Sequence, residues 1–200
     1  MRDFSIVTVS VINLYVGVRY CYLTYKKVIK PALAMWVFFT IAVAMSLTTY
    51  MAKDNFTLWD NILNTTDLLS VGAVAIFILF FGDNSSKFTR FDKGCLLAVL
   101  MIVVFWFVTK EHLLSHLLVQ VIMVISYFPV IRRLWQSKEN TEPFSVWFLM
   151  MINPIFSLIS SKGELATIYS VRAIACTGLL MILMLRIEYM AKKERVYVQD

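Results

Sequence analysis

The sequence predicts an all-α, polytopic membrane protein with seven transmembrane helices, and two observations carry that prediction. Hydrophobic residues make up 60% of the chain and charged residues only 16%, whereas soluble domains are roughly 45–50% apolar and about 25% charged. The apolar residues also gather into runs of roughly 16–26 residues, the length that crosses a hydrocarbon core about 30 Å thick. A chain of this kind is expected to fold in a bilayer rather than in water.

The apolar runs define seven predicted spans. They cover residues 4–25, 32–51, 56–81, 94–109, 112–131, 144–161 and 165–189. The first span carries Asn13, Tyr15 and Arg19 and has no small-residue cleavage site, so we expect it to remain as a helix rather than to be removed as a signal peptide. The fourth span is the shortest and least polar, and it offers no residue for binding a solute.

Basic residues between the spans predict the orientation of the chain. Twelve of them flank one side of the spans and four flank the other. The positive-inside rule makes the first side cytoplasmic, with the N-terminus outside and the C-terminus inside. This topology, with contact to anionic lipids, accounts for the net charge of +6, and no nucleic-acid partner is predicted. The cytoplasmic set is Lys26, Lys27, Lys30, Lys87, Arg90, Lys93, Arg132, Arg133, Lys138, Lys192, Lys193 and Arg195, and the outer set is Arg2, Lys53, Lys110 and Lys162.

No metal or cofactor is predicted. His112 and His116 are four residues apart on one helical face, with Glu111 beside them, and that spacing suits a metal. Nothing nearby completes such a site. Three isolated cysteines fit best as small apolar side chains of the membrane interior; they are Cys21, Cys95 and Cys176.

A recurring pattern predicts an internal duplication. Trp36 and Trp147 lie 111 residues apart, and nine residues separate each of them from a Ser-Leu pair. Each Trp also follows a basic loop and a proline, Pro31 in the first copy and Pro143 in the second. Four shared features at one offset favour duplication over coincidence.

The duplication divides the chain into two three-helix units. Residues 1–86 form the first unit, residues 87–110 a linker helix, and residues 111–200 the second unit with a short cytoplasmic tail. Because a single span separates two units of three, both units cross the membrane in the same direction. Such parallel repeats are typical of transporters with a cavity between the two copies.

Residues 127–147, "YFPVIRRLWQSKENTEPFSVW", resemble the second motif of the PQ-loop family. In that motif a proline near a helix end is followed by a basic turn, a lysine and a serine that opens the next helix. The residues in those places are Pro129, Arg132, Arg133, Lys138 and Ser145. The layout of three, one and three helices is similar to that of the SWEET sugar transporters and the wider PQ-loop group. The chain departs from the motif at Val130, where the family has glutamine, and in span 1, where Val18 or Arg19 stands in place of a proline.

The resemblance implies a transporter that moves a small polar solute, such as a sugar or an amino acid, by alternating access between the two units. It also implies that prolines act as hinges. Pro129 and Pro154 lie inside spans and remove helix hydrogen bonds, so they are expected to kink their helices. Pro31 and Pro143 lie at helix starts, where a missing N–H costs little, and set the direction in which spans 2 and 6 begin. A static kink is the alternative to a hinge.

Two charges at membrane depth are the strongest candidates for a binding site, because charges there usually line a cavity and have a partner. Asp67 shares one helical face with Asp60 and Asn64 in span 3, and Arg172 lies at a similar depth in span 7. An ion pair between Asp67 and Arg172 is one prediction. The alternative is that Arg172 extends outward and Asp67 bonds to neighbouring hydroxyls. Since burial favours the protonated form of a carboxyl group, Asp67 is also a candidate for proton coupling.

Other polar and aromatic residues complete the predicted site. Asn153 stands beside Pro154, where its amide either faces solute or bonds to the carbonyl that the proline frees. Asn64 matches the cavity asparagine of SWEET transporters. The corresponding part of span 7 holds no asparagine, which puts a sugar substrate in doubt. Further candidates are Asn13, Tyr15, Trp36, Gln120, Ser126, Tyr127, Trp147, Ser170 and Thr177.

Other functions fit the sequence less well. No paired carboxylates, Ser–His pair or His–Glu metal box lies at one membrane depth, so an enzyme is not predicted. A retinal protein needs a lysine in mid-span 7, which has none between Lys162 and Lys192. A receptor or scaffold of the same fold and a vitamin or nucleoside transporter remain open, as does a homo-oligomer. Short loops and the absence of a signal peptide favour a bacterial inner membrane.

Overall fold

A computed structural model of the chain describes residues 1–29, 31, 33–82, 90–136, 140 and 142–197. Those residues form eight α-helices and one short 3-10 helix, and they contain no strand. The elements are α1 (Arg2–Tyr25), α2 (Leu33–Lys53), the 3-10 helix (Leu58–Asn61), α3 (Ile62–Phe81), α4 (Arg90–Thr109), α5 (His112–Ile125), α6 (Phe128–Gln136), α7 (Phe144–Ser157) and α8 (Gly163–Tyr197). Outside the described residues lie Lys30, Lys87, Lys138, the first residue of span 2 and the boundary between residues 86 and 87.

Four helical segments are long and apolar enough to cross a membrane, which confirms the prediction of an all-helical chain built for a bilayer. They are Arg2–Tyr25, Met35–Lys53, Leu58–Phe81 and Gly163–Lys193. Three shorter apolar helices accompany them, Leu96–Thr109, His112–Ile125 and Phe144–Ser157. The outward face of α1 is apolar as well: Val7, Val11, Leu14 and Val18 are each 60–67% exposed. A continuous apolar face of this kind suits lipid rather than water.

The helices pack in a regular order. α3 lies against both α1 and α2, which have little direct contact with each other. α8 lies against α5, α6 and α7, and α5 and α7 likewise have little mutual contact. The two groups meet where α2 packs on α5 and α1 packs on α7, while α4 packs outside against α5 and α2. Residues that face the middle of this arrangement therefore come from both groups.

The fifth predicted span, residues 112–131, is not one uninterrupted helix, in agreement with the kink expected from Pro129. Ser126 and Tyr127 form a turn that separates α5 from α6. The reason is Pro129, which has no N–H to donate to the carbonyl of Ile125. Ser126 Oγ and N both bond to the carbonyl oxygen of Ile122, at 2.9 Å each, and this caps the end of α5. The proline thus breaks the helix a few residues before its own position.

The other three prolines lie as the sequence predicts, at helix starts or inside a helix. Pro143 is the N-cap of α7, and its carbonyl accepts hydrogen bonds from the backbone N–H groups of Val146 and Trp147. Pro31 precedes the first residue of α2 by two positions. Pro154 lies within α7, which ends three residues later at Ser157, short of the predicted residue 161.

Gly163 starts α8 with a backbone φ of +76°, a conformation that side chains rarely adopt. A Cβ atom at this position would lie 2.8 Å from Cζ of Phe56, whose ring stacks on Tyr50 with centroids 4.8 Å apart. We therefore expect Gly163→Ala to lower the free energy of unfolding by about 1–3 kcal/mol, measured by thermal unfolding in detergent. Gly178→Ala is the control, because no atom lies within 4 Å of its added Cβ. Equal stability of the two variants would contradict the expectation.

Candidate functional site

A small, largely buried cavity lies where the two groups of helices meet. Its volume is about 50 Å³, enough for one or two water molecules. Apolar side chains form part of its wall, among them Phe39, Val43, Leu63 and Met123. The polar wall consists of Asn13 of α1, Asp67 of α3, Asn153 of α7, Tyr169, Arg172 and Thr177 of α8, and Tyr127 of the turn after α5. Six of the predicted candidates are thus brought together here: Asn13, Asp67, Tyr127, Asn153, Arg172 and Thr177.

Asp67 is held by hydroxyl and amide donors rather than by a cation. Tyr169 donates its hydroxyl hydrogen to Oδ2 of Asp67 at 2.7 Å. Asn13 donates from Nδ2 to Oδ1 of Asp67 at 2.9 Å and to Oγ1 of Thr66 at 2.6 Å. The predicted ion pair with Arg172 is not formed, and the alternative, bonds from neighbouring hydroxyls, describes Asp67 correctly.

Arg172 stays inside the protein instead of extending outward. Its Nε donates to Oε1 of Gln120 at 2.9 Å, and its Cζ lies 4.6 Å above the ring centroid of Tyr169. The residue is 9% exposed, and the surface that remains belongs to the cavity wall. Tyr169 therefore separates the two charges, with its hydroxyl on Asp67 and its ring under the guanidinium of Arg172.

Asn153 contributes a polar group that has no partner. The residue is 2% exposed, and its Oδ1 accepts no hydrogen bond within the described residues. The structure shows no bond from its amide to the carbonyl that Pro154 frees, which was one of the two predicted roles. Buried acceptors without a donor are uncommon and need an explanation. The remaining role is that the amide faces the interior of the cavity, which Asn153 and Pro154 both line.

Asn64 and Ser170 lie outside the cavity wall. The amide of Asn64, in the orientation that satisfies its neighbours, donates to the carbonyl of Val43 and accepts from Ser46 Oγ and the backbone N–H of Leu47. It is fully buried between α3 and α2. Ser170 shares a 2.7 Å hydrogen bond with Ser157. Asn64 thus connects α3 to α2, and Ser170 connects α8 to α7.

One end of the molecule, where α2 and α7 begin, is closed by aromatic rings; we call it the Trp36 end. The rings of Trp36 and Tyr20 lie 4.7 Å apart between centroids. The ring of Tyr127 packs edge-on against Phe39, with centroids 5.4 Å apart, and lies tilted against Trp147, with centroids 6.2 Å apart. Phe39 and Tyr127 also line the cavity, so Trp147 closes this end from behind the cavity wall rather than by lining it.

The opposite end, where α1, the 3-10 helix and α8 begin, is closed by charges; we call it the Asp60 end. Oδ1 of Asp60 lies 2.6 Å from Nη2 of Arg2 and 2.8 Å from Nζ of Lys162. Thr57 donates to Oδ2 of Asp60 from both its backbone N–H and its hydroxyl. Asp60 is 4% exposed, and its backbone carbonyl accepts the N–H of Lys162 at 2.9 Å. One buried carboxylate thus connects three separate parts of the chain.

The two histidines have structural partners. His112 accepts a hydrogen bond at Nδ1 from Nε1 of Trp106 at 2.9 Å. His116 is fully buried, with Nδ1 near the hydroxyl of Thr49 and the carbonyl of Ser46. Within the described residues, no group of three His, Cys, Asp or Glu side chains could hold a metal ion.

Sequence reasoning missed Tyr169, which organises the cavity. A signal was present, because Tyr169 precedes Arg172 by three residues and so lies on the same face of the helix. Tyrosine is common in membrane helices, however, and its hydroxyl gains meaning only when Asp67 is known to face it. The same limit applies to the Asp60 cluster, whose three members are far apart in the sequence.

The chain matches no family model, no curated protein and no solved structure. The resemblance to SWEET and PQ-loop transporters therefore stays a prediction based on motif and layout. The chemistry of the cavity and of its two closed ends is the evidence on which a function can rest.

Proposed function

We propose that this protein is a membrane transporter that moves a small polar solute by alternating access. The observation that carries the proposal is the largely buried polar cavity between two groups of apolar helices, with Asp67, Asn153 and Arg172 in its wall. Polar groups at membrane depth are costly and are retained where they serve a solute or ion path. An enzyme is not proposed.

The packing order supports a layout of three, one and three spans. In the two groups, α1 corresponds to α5 with α6, α2 corresponds to α7, and α3 corresponds to α8. When each helix is replaced by its counterpart, every major helix–helix contact corresponds to another contact that the structure also contains. The central helix is α3 in one group and α8 in the other, and the contact of α2 with α5 corresponds to that of α7 with α1. The linker helix α4 lies outside this relation. We infer two parallel repeats, and a distant relation to the SWEET and PQ-loop transporters.

Orientation follows from charge. The excess of basic residues lies at the Trp36 end, so that end is cytoplasmic in our proposal, and anionic lipid headgroups contact it. The Asp60 end then faces outward, with the N-terminus outside and the C-terminus inside. A bacterial inner membrane is the membrane we propose.

The two closed ends support alternating access, because each end is shut by contacts that can separate without unfolding a helix. Arg2, Asp60 and Lys162 close the outer end, and Trp36, Tyr127 and Trp147 close the inner one. In our proposal, separation of one set of these contacts at a time opens the cavity to one side of the membrane. Pro129 and Pro154, at the break before α6 and near the end of α7, are the proposed hinges for opening.

Proton coupling is proposed to run through Asp67. Its carboxylate accepts two hydrogen bonds and has no cationic partner, so a proton can add without breaking an ion pair. Asp67→Asn removes the titrating group and retains the shape of the side chain. Uptake by this variant should be independent of pH, if it persists at all.

The test is ligand binding followed by uptake. Sugars, amino acids and nucleosides are screened for an increase in the thermal stability of the purified protein, since a ligand of the folded state alone stabilises it. We expect a stabilising solute to accumulate in proteoliposomes and Asp67→Asn to reduce its uptake about tenfold or more. The control Asp54→Asn changes an exposed carboxylate at the Asp60 end and should leave uptake unchanged. Binding without uptake, or stabilisation by a peptide alone, would instead indicate a receptor.

A further inference from the structure

We propose that the solute carries a carboxylate group, which binds the guanidinium of Arg172, and a hydrogen-bond donor that reaches Oδ1 of Asn153. The inference rests on the proposed transport function and names the chemical class of the solute: a small carboxylate with a hydroxyl or amino group on the neighbouring carbon. The evidence is a pair of incompletely bonded polar groups, one donor and one acceptor, in the wall of the same cavity.

Arg172 supplies the donor side. A guanidinium carries five N–H groups, and the structure uses one of them, on Nε, for Gln120. The hydroxyl of Tyr127 also forms a side-chain hydrogen bond with this guanidinium, so the two partners together occupy only part of its five N–H groups. The nearest acid in the cavity wall, Asp67, is already held by Tyr169 and Asn13. The Nη atoms therefore present a planar fork, the geometry that binds a carboxylate with two hydrogen bonds.

Asn153 supplies the acceptor side. Its Oδ1 is buried and accepts no hydrogen bond within the described residues, although an unsatisfied buried acceptor destabilises a protein. An O–H or N–H group of the solute would satisfy it. Asp67, in the same wall, can accept a further hydrogen bond from the ammonium group of an amino acid. A neutral hydroxyl group depends less on such a carboxylate partner. Both hydroxy acids and amino acids fit this arrangement, and the experiment separates them.

Size restricts the solute further. A cavity of about 50 Å³ is far below the roughly 300–1,000 Å³ of pockets for drug-sized ligands. The cavity must become larger when the helices open, and a solute with few heavy atoms requires the smallest enlargement. This favours a three-carbon acid over a disaccharide or a nucleoside.

The experiment measures binding of matched three-carbon probes to the purified full chain by thermal shift and calorimetry. L-lactate and L-alanine carry both groups, propionate carries only the carboxylate, and lactamide and alaninamide carry only the donor group. We expect lactate or alanine to bind, propionate to bind more weakly, and the amides and glucose not to bind. This comparison uses the unaltered protein, so its result does not depend on whether a variant folds.

Two variants then assign the contacts. Arg172→Gln should weaken binding of the better acid at least about tenfold, as expected for a lost charge-assisted bidentate contact. Asn153→Leu should lower the affinity for that acid to the affinity for propionate. The control Arg186→Gln changes an arginine of the same helix that lies outside the cavity, over the ring of Trp135.

The results separate this inference from the proposed function. Stabilisation and uptake of glucose or of an amide, unaffected by Arg172→Gln, would overturn the carboxylate class and leave a transporter. No binding of lactate, alanine or propionate would also overturn the class. Absence of uptake for every solute, despite binding of an acid, would overturn the transporter and leave a carboxylate-binding site.

Discussion

Asp67→Asn combined with Arg172→Gln is expected to cost less stability than the two single changes added together. Each single change leaves the opposite charge uncompensated in the largely buried cavity, and we expect each to lower the free energy of unfolding by about 3 kcal/mol. The double variant removes both charges. Its coupling free energy should be about 1–3 kcal/mol, even though the structure shows no direct bond between the two side chains.

The coupling has a physical path through Tyr169. Its hydroxyl donates to Asp67 and its ring lies under the guanidinium of Arg172, so removal of either charge changes the electrostatic surroundings of the other. The cavity is largely buried, and charges interact more strongly in such surroundings than in solvent. Unfolding in detergent at about pH 8, where carboxyl groups are normally ionised, gives the four free energies of the cycle.

The matched control is the cycle of Asp54→Asn with Arg186→Gln, which alters two exposed charges at opposite ends of the molecule. These two changes should be additive within about 0.5 kcal/mol. Additive effects of Asp67→Asn and Arg172→Gln as well would show that each charge is satisfied independently. A coupling that disappears at about pH 5 would indicate that Asp67 takes up a proton, as proton coupling requires.

The sequence predicts helices far better than it predicts which way their polar residues face. Apolar runs located the helices because burial in a bilayer demands both length and composition. Asp60, Asn64 and Asp67 were predicted to share one helical face, but their side chains have different surroundings in the structure. Leu58–Asn61 is a 3-10 helix, which turns in 3.0 rather than 3.6 residues. Asp60 consequently joins the cluster at one end of the molecule, Asn64 packs on α2, and Asp67 reaches the cavity.

The prediction of an Asp67–Arg172 ion pair failed for a similar reason. Residue counts gave both charges a similar depth, but depth does not determine the angle at which a helix presents a side chain. Tyr169 occupies the position between them and donates to Asp67, while Gln120 of α5 accepts from Arg172. Those partners depend on how α8 packs against α3 and α5. The residue pattern of a single helix does not predict that packing. Several members of the cavity wall were predictable, whereas Tyr169 and the pairing within the wall were not.

Asp60→Asn is expected to open the Asp60 end to reagents from the outside. The variant removes the charge that holds Arg2 and Lys162 and retains the size of the side chain. Hydrogen bonds to a charged group contribute about 1.5–3 kcal/mol, against about 0.5–1.5 kcal/mol for neutral ones. A loss of about 1.4 kcal/mol in the closed state raises the open fraction tenfold. We therefore expect a cavity cysteine, introduced as Ala173→Cys in a chain whose own cysteines are replaced, to react about tenfold faster with a membrane-impermeant thiol reagent.

Glu164→Gln provides the matched control at the same end of the molecule. Glu164 pairs with Lys53 at 3.4 Å, and its side chain is 75% exposed, so this ion pair should contribute little. If both variants label alike, the Asp60 cluster is not the outer closure. Labelling that rises only in Asp60→Asn, with the helical content unchanged, would mean that the end opens while the helices stay folded. Alternating access requires this behaviour, because the contacts of a gate must separate at a free-energy cost far below that of unfolding. One buried carboxylate shared by two half-exposed cations meets that condition.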